Sequence, residues 1–103
     1  MRTIKFRAWD TDEKFMYNNW TVIDRVPMDY VLMQFTGLKD KNGKEIYEGD
    51  VLDYKYNGTT KEVFWESAMF RFRDKNGWGA LSLVASESEV IGNIWENSEL
   101  LKD

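Results

Sequence analysis

Three Asn-Gly pairs, Asn42-Gly43, Asn57-Gly58 and Asn76-Gly77, stand between aromatic-rich runs of this chain. Asn and Gly tolerate positive φ, which makes the pair a favoured centre for a tight hairpin turn. Reversals this short can join only antiparallel neighbours, because a parallel crossover needs about a dozen residues or more. The pattern therefore predicts an antiparallel meander and argues against a βαβ fold. Strands are expected at Thr3–Trp9, Phe15–Tyr17, Tyr30–Thr36, Glu45–Tyr47, Val51–Tyr56, Thr59–Glu66, Met69–Arg73, Trp78–Leu83 and Glu89–Trp95. Gly37 is expected to end the third of these, Pro27 to interrupt an irregular stretch over Asn18–Asp29, and Asn97–Leu101 to form one weak helical turn. Strands of this kind must shelter one face and protect their edges, and closing or partly closing five of them into a small barrel does both. The expected fold class is mainly β: an antiparallel small barrel, with additional strands at the N-terminal end.

A chain of 103 residues, 43% of them hydrophobic, has material for one core, and residues 1–103 read as one domain. Five Trp, five Tyr and six Phe supply much of that core, at about 150–250 Å² of buried area per ring. With no Cys and no His, disulfides, thiolate nucleophiles and imidazole acid–base or metal chemistry are unavailable. A formal charge of −4 disfavours a uniformly basic nucleic-acid surface, while a local basic patch stays open. The opening MRTIKFRAWD alternates charged and apolar side chains, unlike a signal peptide, and no later stretch is long and apolar enough for a membrane helix. A soluble, cytoplasmic location is the expectation.

Three segments carry a family likeness: Ile4-Lys5-Phe6-Arg7-Ala8-Trp9-Asp10, the long run from Phe35 to Val51 (FTGLKDKNGKEIYEGDV), and Glu89-Val90-Ile91-Gly92-Asn93-Ile94-Trp95-Glu96-Asn97. In combination they resemble the YopX family of phage and prophage proteins, over nearly the whole chain. The resemblance implies a small protein of a bacterial virus, acting in the bacterial host cell, with an SH3-like barrel portion. It implies no particular biochemical activity. Phe35 and Trp95 stand where the family commonly has Tyr, which keeps a large ring, and Ser98 stands near a common Pro.

The candidate chemistry is sparse. Asp40, Glu45, Glu48 and Asp50 cluster around turns, but their spacing is not an EF-hand and Lys39, Lys41 and Lys44 lie among them. A solvated, charge-balanced turn accounts for them better than a metal site or a glycosidase pair. Gly37, Gly43 and Gly49 match neither a Walker segment nor a dinucleotide fingerprint and read as chain-reversal glycines. No catalytic residue, metal ligand or cofactor is assigned. Trp65, Phe70, Phe72 and Trp78, with Lys61, Arg71 and Arg73, form the better binding candidate. Strand alternation nevertheless puts Phe70 and Phe72 on the face opposite the two arginines, so core packing is their expected use. Lys5, Arg7 and Trp9 share one face of the first strand and form the possible interaction set. There Trp9 and Arg7 could anchor a partner protein or a second copy, if that strand is an edge.

The leading expectation is a non-enzymatic phage accessory protein that binds another protein, with self-association possible. The runner-up is a nucleic-acid-binding small barrel. Glycine at the Asn42-Gly43 turn gives a direct check on the hairpin reading. Gly43→Val should lower the denaturation midpoint far more than Lys41→Ala, because a β-branched residue resists positive φ; equal urea curves would remove the turn assignment.

Overall fold

Two Asp-Lys-Asn-Gly tetrapeptides, Asp40–Gly43 and Asp74–Gly77, close two of the hairpins, and the aspartate has the same role in both. Its Oδ1 accepts the N–H of the asparagine two residues on, at 2.8 Å each time. The computed structural model describes residues 4–21, 25–56 and 58–101, so Thr3 of the first expected strand, residues 22–24 and Asn57 lie outside the described residues. Neither tetrapeptide makes a type I′ turn, which would put both of its central residues at positive φ. Positive φ falls on Gly43 (81°) and Gly77 (131°), not on Asn42 or Asn76. The Gly43 N–H donates to the Asp40 carbonyl at 3.0 Å, which gives a type I turn followed by a left-handed glycine. The physical reason is the aspartate: by capturing the asparagine N–H it holds the central residues in right-handed geometry. The type I′ hairpin instead lies at Ser67 (φ 52°) and Ala68 (φ 64°), between the paired residues Glu66 and Met69.

The strands are β1 (Phe6–Asp10), β2 (Phe15–Trp20), β3 (Tyr30–Lys39), β4 (Glu45–Tyr47), β5 (Asp50–Tyr54), β6 (Thr60–Glu66), β7 (Met69–Asp74), β8 (Gly77–Ala80) and β9 (Ser88–Asn93). All pairings are antiparallel, in two sheets ordered β2-β1-β3-β4 and β8-β7-β6-β5-β9. Among the described residues neither ladder returns to its starting strand, and the mainly antiparallel β structure expected takes the form of two sheets, the N-terminal one a curled, incompletely closed half-barrel. Gly37 does not end β3. It is absorbed between Phe35 and Lys39, where the register against β4 shifts. The strand expected at Trp78–Leu83 stops at Ala80, and short 3₁₀ turns follow at Leu81–Leu83 and Ala85–Glu87. Another 3₁₀ turn, Ser98–Leu101, occupies the expected helical position.

Alternation within the second sheet sends Leu52, Val63 and Phe72 to one side. There they pack with Ile46, Leu81, Val84 and Ala85, and Phe70 and Phe72 join this core as expected. Each fully buried aliphatic side chain contributes roughly 1.5–3 kcal/mol. Where the two sheets meet, the backbone itself makes the joint. The Gly49 N–H donates to the Val63 carbonyl (2.9 Å), and the Gly49 carbonyl accepts from Ile94 (2.8 Å). Gly49 has φ 85°, which favours glycine, and a Cβ there would come within 3.2 Å of Met33 Sδ, a contact that Met33 would have to relieve by shifting. Asp40 makes a second tie. Its Oδ2 accepts the Val90 N–H of β9 while its Oδ1 holds the Asn42 and Lys44 N–H groups. Burial opposes charge on Asp40, but these three backbone donors outweigh it and hold the carboxyl below the usual carboxylate range.

The third tie is ionic. Arg7 on β1 donates to Asp50 Oδ1 on β5 at 2.8 Å and to the Glu48 carbonyl at 3.1 Å, with its guanidinium 4.9 Å from the Tyr47 ring centre. Asp50 Oδ2 accepts the Tyr47 N–H. Burial pushes the Asp50 carboxyl above the usual range, against the pull of Arg7 and the Tyr47 N–H, so desolvation is the larger effect.

Two measurements check these assignments. Ala68→Gly should stabilise the protein by about 0.5–1 kcal/mol in urea denaturation, since left-handed geometry costs an L-residue about 1–2 kcal/mol and glycine's extra chain entropy offsets only part of that. Arg7→Met and Asp50→Ala should each cost about 3–5 kcal/mol by stranding a buried charge, and the double variant should cost clearly less than their sum.

Candidate functional site

The side chains that sequence placed on one face of the first strand do share a face, but it is the inner one. Arg7 is 8% exposed and Trp9 only 4%. β1 lies between β2 and β3, so it is not an edge. The condition for Trp9 and Arg7 to anchor a partner is therefore not met: the second sheet covers that side, Arg7 is committed to Asp50, and Trp9 stacks on Trp95 with ring centres 6.4 Å apart. Lys5, at the rim, pairs with Glu45 and lies 5.0 Å from the Phe35 ring centre. The hydrogen bond to Glu45 holds the Lys5 ammonium above its ordinary pKa, ahead of the opposing effect of burial.

The acidic cluster separates into four structural contacts. Asp40 caps its turn, Glu45 pairs with Lys5, Glu48 Oε1 accepts the Gln34 N–H, and Asp50 holds Arg7. Asp40 and Asp50 are buried rather than solvated. Among the described residues no group of three or more Asp or Glu is placed to hold a metal ion.

Two surfaces remain exposed. The first belongs to β2, the terminal strand of its sheet, whose sequence Phe-Met-Tyr-Asn-Asn-Trp has no charged residue. Phe15, Tyr17 and Trp20 of β2, with Tyr30 of β3, form a continuous aromatic face. Ring centres are 4.7 Å apart for Phe15–Tyr17, 5.8 Å for Tyr17–Trp20, 5.6 Å for Tyr17–Tyr30 and 5.4 Å for Trp20–Tyr30. Phe15 is 55% exposed. A hydrogen bond with Tyr17, then burial, then the charge of Asp10 push the Tyr30 hydroxyl up to about 12. These rings escaped the sequence reading, although an aromatic run free of charge is the signal that could have shown them.

The second surface is the outer side of β6–β8. The Arg71 guanidinium lies 4.1 Å from the Trp78 ring centre, and that of Arg73 4.0 Å from Phe64. Arg73 also reaches Glu62 at 3.3 Å. The expectation that alternation separates rings from arginines holds for Phe70 and Phe72. It fails for the surface as a whole, because Phe64 and Trp78 supply rings on the arginine side. Lys61 belongs to neither surface: it is buried against Asp74 and Thr59, beside the rings of Tyr54 and Phe72.

Among the described residues no helix is long and apolar enough to cross a membrane. The chain matches no curated relative. It is similar to the crystal structure of protein EF1440 from Enterococcus faecalis, with 31% identity, a TM-score of 0.72, and coverage of 99% of this chain and 100% of that one. The family described as YopX protein matches residues 20–102, which include the segments from Phe35 to Val51 and from Glu89 to Asn97 that carried most of the likeness. The chain belongs to the YopX family of phage and prophage proteins.

Proposed function

We propose that this protein is a non-enzymatic protein-interaction module that acts in the cytoplasm of the bacterial host and is built on an SH3-like small barrel. The barrel reading is supported by the order β8-β7-β6-β5-β9 with 3₁₀ turns between β8 and β9, the connectivity of a five-stranded barrel left partly open. The interaction reading is carried by one observation: a four-ring face along an uncharged terminal strand, with Phe15 and Tyr17 exposed and Trp20 and Tyr30 half-buried. Terminal strands normally carry charge, proline or cover that prevents pairing. Contiguous exposed aromatic surface is what partner proteins bury. Against catalysis stand the lack of His and Cys and the structural use of the clustered carboxylates.

The test compares wild type with the Phe15→Ser/Tyr17→Ser variant. Proteins retained from phage-carrying host lysate are identified, purified, and titrated against both forms. A direct partner whose affinity falls about tenfold or more in the variant supports the reading. Reproducible lack of any direct partner, a second copy included, across physiological salt would overturn it.

The Arg71–Trp78 and Arg73–Phe64 stacks favour a second reading, single-stranded nucleic-acid binding, in which bases stack on the exposed rings. Saturable binding of labelled DNA or RNA at low salt, weakened by Trp78→Ala, is its expected outcome. A flat titration to high micromolar protein would remove it.

A further inference from the structure

The outer strand is bulged opposite Arg7. The β1–β2 register runs from Phe6↔Trp20 to Ala8↔Tyr17, so Arg7 faces two residues, Asn18 and Asn19. Asn19 has φ 59°. Bulges of this kind re-aim side chains beside sites, and here a hollow of about 260 Å³ opens, lined by Arg7, Asn18, Asn19, Lys44, Glu45 and Tyr47. Because neighbours along a strand point to opposite sides, the hollow lies on the face of the sheet away from the ring patch.

Charge in and around the hollow is unbalanced. Asp50 neutralises Arg7 and Lys5 neutralises Glu45. Lys44 is exposed and forms no ion pair among the described residues. Asp40 accepts the Lys44 backbone N–H but reaches across to Val90 and does not line the hollow. The Lys44 charge also acts at longer range on the Asp40 and Asp50 carboxyls, so only the lining itself, Arg7 and Lys44 against Glu45, is one charge positive. Around Lys44 the Asn18 and Asn19 side chains offer amide donors.

We propose that this hollow is a carboxylate subsite. An extended acidic segment of a partner protein adds to the outer edge of β2, and one Asp or Glu side chain enters beside Lys44 and the two asparagine amides. A monoanion matches the one net positive charge of the lining, whereas a dianionic phosphate exceeds it. An added strand also alternates its side chains. The residues flanking the acid therefore fall on the opposite face, over Tyr17 and Trp20, which favours apolar–acid–apolar sequences. This inference rests on the interaction-module reading.

A random dodecapeptide library displayed on phage, selected against the whole protein, tests it. The expected peptides carry Asp or Glu at one fixed position between apolar residues and shift the amide resonances of Asn18, Asn19 and Lys44. They lose about tenfold or more in affinity for Lys44→Glu, measured at a temperature where the amide spectra show both forms folded. Lys44→Arg should retain their binding. Selected peptides that need Phe15 and Tyr17 but show no acidic preference, and bind Lys44→Glu undiminished, would overturn the subsite and leave the interaction module standing. Failure to select any peptide would also overturn the subsite, while the module stands or falls by its retained partner.

Discussion

The buried pair of Arg7 and Asp50 is the contact on which the arrangement of the two sheets depends. Desolvating both ions is expensive, and the raised Asp50 carboxyl is the signature of that expense. What the pair supplies is direction more than energy. Arg7 can reach both Asp50 and the Glu48 carbonyl only where β1 lies across the start of β5 with the Tyr47 ring in position, and even there its buried Nε is left without a partner. An apolar side chain would tolerate several ways of laying one sheet on the other. The pair, with the Gly49 backbone bonds beside it, permits one.

Regular features of the chain were legible because each rests on local chemistry. Alternation in Met69–Arg73 and the turn residues around Gly43 and Gly77 settle strand and reversal before any tertiary contact forms. What stayed hidden depends on partners distant in sequence. Nothing near Arg7 announces Asp50, and nothing near Asp40 announces Val90. The type I′ turn at Ser67-Ala68 lacks any turn signal; continuous pairing of β6 with β7 imposes it against the preference of both residues. The asparagines point the other way: local aspartates override the geometry that Asn-Gly alone would choose.

The surface reading failed and succeeded for a related reason. A strand's alternation shows which side chains travel together, as Lys5, Arg7 and Trp9 do, but not which side the rest of the chain will cover. The covered side is decided by β5 and by Trp95, far along the sequence. Once that side is taken, exposed aromatic area is left on the opposite side of the same sheet. The family likeness had no such difficulty, because it depends on residues in order and not on their partners in space.

The position of β9 bears on how the chain is made. This strand follows the other eight in chain order, yet it pairs with β5, some 40 residues earlier, and delivers the Val90 N–H to Asp40. Long loop closure is slow and entropically unfavourable until the final contacts reward it. During translation the N-terminal sheet can assemble as soon as β4 emerges. The edge of β5 that β9 covers and the aspartate at the neighbouring turn stay unpaired until Ser88–Asn93 has left the ribosome. A nascent chain stalled before Ser88 is therefore the form of this protein most exposed to proteases and to adhesion between its own copies.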